Sequence, residues 1–132
     1  MSTRLRRTVI AAIAAASMAM LVLTTGTPAS AGETWRGCES GNVCLYNGDI
    51  TPRYLSYQTP GYVPDGEHFW VVVNNGNQQA GADHVYFEYK YYGGSEWYDT
   101  CLHFRPGDGY KLDLRDGAVN ATIRNMYWGG EC

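Results

Sequence analysis

The stretch VYFEYKYYGGSEWYDTCLHF, residues 85–104, decides how the chain is read. A buried strand has no need of so many tyrosines, and a disordered segment does not tolerate them. The alternation of HVYFEYKY (residues 84–91) is that of a strand with one face covered. Two glycines, Gly93 and Gly94, and a cluster of polar residues interrupt it, and WYDTCLHF (residues 97–104) follows. The stretch is therefore a hairpin whose aromatics pack while their hydroxyls reach water.

Strand signals continue in both directions. NVCLY (residues 42–46) and RYLSYQ (53–58) are short strands, the second closed by the turn TPGYVPDG. FWVVVN (69–74) is a continuous apolar run of the kind buried between two sheets, and NGNQQAGAD after it is a polar loop. RPGDG turns the chain, YKLDLR (110–115) alternates, and AVNATIRNMYW (118–128) closes the domain. No stretch after Ala31 repeats apolar residues at helical spacing. About seven short strands with Gly, Pro and Asn between them predict an all-β sandwich.

The N-terminus reads differently. MSTRLRR carries three arginines, an apolar run spans Val9 to Leu23, and Ala29-Ser30-Ala31 is a small-x-small signal. That order is a secretory signal peptide, with cleavage expected after Ala31 and one domain over 32–132. The apolar run is short for a membrane anchor. Seven basic residues remain after cleavage against all thirteen acids, a net charge of −6. Such a charge disfavours a nucleic-acid partner and favours solubility outside the cell as a monomer.

All four cysteines follow the cleavage site. An even number in a small exported domain implies two disulfides, with three pairings open. Five residues including Gly41 separate Cys38 from Cys44, which suits a tight local loop; Cys101 with Cys132 then follows by elimination. A cysteine zinc site is the weaker reading, because no C-x-x-C pair occurs. Neither a metal nor another cofactor is expected.

The halves repeat approximately. VCLYN followed by VVVNN is mirrored by YFEY followed by TIRNM. In the second copy, Phe87-x4-Tyr92-x-Gly94 reads as a folded hairpin corner, with the aromatics over it and Gly94 at positive φ. This pattern resembles the Greek-key signature of βγ-crystallins. The export signal, CESGNVCLY, RYLSYQTPGYVPD, VVVNN, FEYKYYGG and PGDG together resemble secreted actinobacterial proteins of peptidase inhibitor family I36, which includes a Streptomyces inhibitor of thermolysin-type metalloproteinases. The first copy departs from the pattern: Tyr46-x4-Thr51-x-Arg53 lacks the second aromatic and the glycine, so its corner is built differently. The stretches Gly66–Val71 and Gly117–Thr122 lack the paired oxygens of calcium-binding relatives. Glu67, Asp113 and Asp116 then read as solvated acids.

The resemblance implies a rigid, substrate-like loop that blocks an extracellular proteinase. It places that loop at Thr100, Cys101, Leu102, His103 and Phe104, with Leu102 entering the apolar pocket. The competing reading of the same residues is a core strand with a half-buried cystine. A second function is glycan or cell-wall binding, with Tyr91, Trp97, Tyr98 and Trp128 as candidates for stacking on sugar rings; core packing is the plainer role for each. No G-x-S-x-G, H-E-x-x-H or Cys/His pair is present, and the sequence reads as a non-enzyme. His68, His84 and His103 read as scattered polar residues.

Overall fold

The computed structural model describes residues 32–132, so the signal-peptide reading of residues 1–31 lies outside the described residues. Eight strands form two antiparallel four-stranded sheets. They are β1 (Asn42–Tyr46), β2 (Leu55–Thr59), β3 (His68–Phe69), β4 (Val71–Asn75), β5 (His84–Tyr91), β6 (Tyr98–Leu102), β7 (Lys111–Asp113) and β8 (Ala121–Gly129). The first sheet has the order β2-β1-β4-β7 and the second β3-β8-β5-β6. Each half of the chain thus gives three strands to one sheet and its remaining strand to the other.

The apolar run FWVVVN is not one strand. It breaks at Trp70: Phe69 pairs with Ala121 in the second sheet, and Val71 pairs with Tyr46 in the first. The Trp70 backbone spans the break, its N–H donating to the Tyr46 carbonyl and its carbonyl accepting from Leu114. A run long enough to cross between sheets carries no break signal in its side chains.

The main core lies between the sheets. Val43, Leu45, Val72, Phe69, Val85, Phe87, Leu102, Ala121, Ile123 and Met126 are buried there. Phe69 meets Phe87 edge-to-face at 6.2 Å. A second cluster covers the other side of the first sheet, where Cys38, Cys44, Tyr46, Val71 and Val73 are buried beneath Trp35 and Tyr110. Burial on both faces explains why β4 is apolar at successive positions instead of alternating. The covering segment folds back through Arg36 and Gly37, both at positive φ, in the two-residue geometry that suits a tight reversal.

Both disulfides join the expected partners. Cys38 and Cys44 have Cα atoms 5.9 Å apart, and Cys101 and Cys132 6.4 Å. Two such bonds fit an extracellular protein. Among the described residues, no helix is long and apolar enough to cross a membrane.

The hairpin corner differs from its expected form. Gly93, not Gly94, holds the positive φ, at +76°. The Gly94 N–H donates to the Tyr91 carbonyl at 2.9 Å, so Tyr91 to Gly94 is a β-turn with glycine at its third position. Tyr92 does not cover the corner: it is 74% exposed. Phe87 is a core residue. The aromatic-x4-aromatic-x-glycine spacing is met one residue earlier, by Tyr86, Tyr91 and Gly93. Adjacent tyrosines and adjacent glycines make the two registers equivalent in sequence, and only the backbone separates them. In the first half the corresponding loop is closed by a short 3-10 turn, Pro52–Tyr54.

Candidate functional site

The segment Thr100–Phe104 is not a projecting loop. Thr100, Cys101 and Leu102 lie opposite Phe87, Tyr86 and Val85 in the β5–β6 ladder. Leu102 is 3% exposed and belongs to the main core. Its side chain is therefore not available to a proteinase pocket, and the strand reading holds for it. Cys101 is half-buried in its disulfide, and His103 and Phe104 pack around His84. What β6 does offer is its outer edge, because it is the last strand of its sheet.

The outer face of the second sheet carries a different constellation. Inward residues of β5 are Val85 and Phe87, so Tyr86, Glu88 and Lys90 face away from the core. Opposite them, β8 contains a bulge: Glu88 lies opposite Arg124 but Tyr86 lies opposite Tyr127. The extra residue falls at Asn125, whose φ is +51°. Asparagine tolerates this left-handed conformation better than most residues with a side chain. The bulge brings Arg124, Asn125 and Tyr127 to the same face.

These residues are fixed by one another. Arg124 Nε–H and Asn125 Nδ2 both donate to Glu88 Oε2, the second at 2.8 Å. The Arg124 guanidinium, with help from Asn125, holds the Glu88 carboxyl below the usual carboxylate range. The same guanidinium lies 3.8 Å from the ring centroid of Trp97, and Lys90 lies 5.0 Å from that ring. Tyr86 and Tyr127 stack with centroids 5.0 Å apart and planes 4° from parallel. Asp99, on β6, lies opposite Glu88. Tyr86, Glu88, Asp99, Thr100, Asn125 and Tyr127 line a hollow of about 260 Å³.

Of the aromatics suited to stacking, Tyr91 meets Tyr89 edge-on and Tyr98 lies tilted against it, each 5.5 Å from it. Trp97 is occupied by the two cations. Trp128 Nε1–H donates to the Gly61 carbonyl and its ring lines a separate hollow with Gly76 and Gln79. The exposed stacked ring is Tyr127, at 57%. Its outward position depends on the β8 bulge, which a strand's period of two does not reveal.

The histidines are not all scattered. His84 Nε2 lies 2.7 Å from His103 Nδ1, and His84 Nδ1 lies 2.7 Å from Asp83 Oδ1. His68 stands apart, beside Thr122. Of the acids considered for calcium, Asp113 is bound to Arg115 through both oxygens, at 2.8 and 2.6 Å. That contact lowers its pKa to about 2.

No protein-family model matches the chain, and no curated protein or solved structure matches it either.

Proposed function

We propose that this is a secreted, non-enzymatic glycan-binding module of βγ-crystallin-like Greek-key type, working through the hollow beside Tyr127. The observation that carries the reading is an exposed, stacked tyrosine next to Glu88, Asp99 and Asn125. A flat ring face suits the apolar face of a sugar, and a fixed carboxylate and amide, Glu88 and Asn125, suit its hydroxyls. The stack on Tyr86 and the ion pair to Arg124 hold these groups in place before binding, which lowers the ordering cost. Binding fits better than hydrolysis. A general acid needs a raised pKa, whereas Arg124 pushes that of Glu88 down. The Greek-key assignment is supported by the exchange of β3 and β7 between the sheets. Export is supported by the leader-like N-terminus and by the two disulfides.

A pull-down on insoluble chitin, peptidoglycan and starch tests this. The protein should be retained on at least one of them. Tyr127→Ala should weaken retention about tenfold or more, by loss of a stacking contact, while Tyr62→Ala, at another exposed tyrosine, should not. Equal retention of the two variants, or no retention of the parent, would reject the hollow as a glycan site.

A second reading, proteinase inhibition of the family I36 kind, draws on the free edge of β6. Proteinase clefts accept extended chain through main-chain pairing. In this reading Thr100 and Cys101 supply backbone and Leu102 remains in the core. Titration against metallo-, serine and cysteine proteinases tests it, and inhibition unaffected by Tyr127→Ala would favour it.

A further inference from the structure

We propose that His84, His103 and Glu131 form a binding site for a zinc-class divalent metal ion, with Asp83 as the group that orients His84. The metal ligands are not residues of the hollow beside Tyr127, although Tyr86 touches both places.

Four observations meet here. The first is the pair of imidazoles. His84 is fully buried and its Nε2 faces His103 Nδ1 at 2.7 Å. The second is the carboxylate behind His84. Asp83 Oδ1 takes the Nδ1 side at 2.7 Å, and Asp83 Oδ2 accepts the Gln79 N–H at 3.0 Å. A carboxylate on one imidazole nitrogen leaves the other free as a lone-pair donor, which is the usual support of a metal-bound histidine. The third is Glu131, whose Oε2 lies 3.5 Å from His84 Nε2. Its side chain is 83% exposed and is free to swing from its place beside His84 and Asp83 towards His103, as metal binding requires. Glu131 itself is tethered, since the Tyr86 hydroxyl lies within 3.0 Å of its carbonyl oxygen.

The fourth observation is charge. Asp83 is 3% exposed and faces the His84 ring, with no Lys or Arg at it among the described residues. A buried carboxylate without a cation is costly. A divalent ion on His84 would place a compensating charge one imidazole ring away from Asp83.

The proton arrangement permits it. With neutral imidazoles, His84 Nδ1–H donates to Asp83 and His103 Nδ1–H donates to His84 Nε2. Metal entry requires His103 to carry its proton on Nε2 instead. That nitrogen faces the Cys132 sulfur at 3.9 Å. The two ligating nitrogens must then part from 2.7 Å to about 3.3 Å, the spacing of tetrahedral ligands with Zn–N near 2.0–2.1 Å. Cys132 is in a disulfide and offers no thiolate. Imidazole nitrogen selects zinc-class ions over calcium.

The test is calorimetric titration of the chelator-stripped protein, disulfides intact, with Zn²⁺ and separately with Ca²⁺. One zinc per chain should bind saturably, with a rise in Tm, and calcium should give neither. His103→Ala should reduce zinc affinity at least tenfold, Asp83→Asn tenfold or more, and Glu131→Gln severalfold. His84→Ala removes a buried ring and is liable to unfold; His103→Ala and Glu131→Gln lie towards solvent and decide the matter. Absence of saturable zinc binding, zinc binding unchanged in both of those variants, or equal binding of calcium would overturn the proposal.

Discussion

The Asp65 carboxylate accepts the backbone N–H of Asn125 at 2.9 Å, joining the loop before β3 to the bulge of β8. The bulge is what turns Tyr127 outward beside Glu88, so a residue sixty positions away holds the geometry of the hollow. Asp65→Ala should cost about 1–2 kcal/mol in urea unfolding, the range for an unpaired or lost charged hydrogen bond. Asn125→Ala should cost at least as much, because it adds left-handed strain and loses the contact to Glu88. Asn125→Gly should recover the backbone part. If Asn125→Gly is no more stable than Asn125→Ala, strain at the bulge is not the cause.

At the hairpin, Gly93→Ala places a Cβ at φ +76° and should destabilise the domain by about 1–2 kcal/mol. Gly94→Ala acts through contact instead, because its Cβ would lie 3.1 Å from the Tyr91 carbonyl oxygen. Its cost should be smaller. Thermal melts of the two variants give the comparison, and the reverse order would contradict the turn assignment.

Leu102→Ala leaves a cavity between the sheets and should cost about 2–5 kcal/mol. Leu102→Asp should fail to fold, seen as loss of native circular dichroism, since an unpaired charge would enter the core. A folded, stable Leu102→Asp variant would mean that Leu102 is accessible after all.

Acid should weaken the domain through Asp113. Its folded pKa, about 2, lies below the ordinary 3.8, so its contribution is present above pH 3.8 and is lost as pH falls towards 2. Both partners are partly exposed, which keeps the effect to under about 1 kcal/mol. Arg115→Gln should flatten the stability curve between pH 4 and 2; an unchanged slope would place the acid sensitivity elsewhere.

Alkali acts through tyrosines. Burial pushes Tyr46 up to about 12, and burial with neighbouring Tyr91 and Tyr98 does the same to Tyr89. Their folded pKa values exceed the ordinary 10, so their stabilisation is complete below pH 10 and is lost as pH rises through 12. Absorbance titration at 295 nm should show Tyr46 and Tyr89 ionising late, with Tyr98 also raised by its hydrogen bond to Glu96. Mutating Tyr46 to Phe should remove one of them.

The histidine pair was legible in principle. His84 and His103 each stand nine residues from the Gly93-Gly94 dipeptide, so a hairpin centred there sets them opposite one another. Taking Gly94 alone as the special residue hid that symmetry. The strands β1 and β5 follow directly from alternation and apolar runs, and the disulfides from spacing. The break at Trp70 and the bulge at Asn125 do not. Each depends on a strand distant in the chain, Ala121 opposite Phe69 and Tyr86–Glu88 opposite the bulge, which local periodicity does not register. The burial of Leu102 was contained in the strand reading of residues 97–104.

The strand exchange also orders events during synthesis. His68 and Phe69 have no ladder partner until Thr122 and Ala121 exist, and Val71–Val73 lack their outer neighbour until Lys111–Asp113 arrive. Neither half is a folding unit that closes its own sheet. Such long-range pairing slows folding, and a nascent chain stopped short of β8 leaves the apolar faces of both sheets uncovered. The protein therefore commits to its native state only when nearly the whole chain is available, and a fragment ending between β4 and β5 should behave as an unfolded, aggregation-prone peptide.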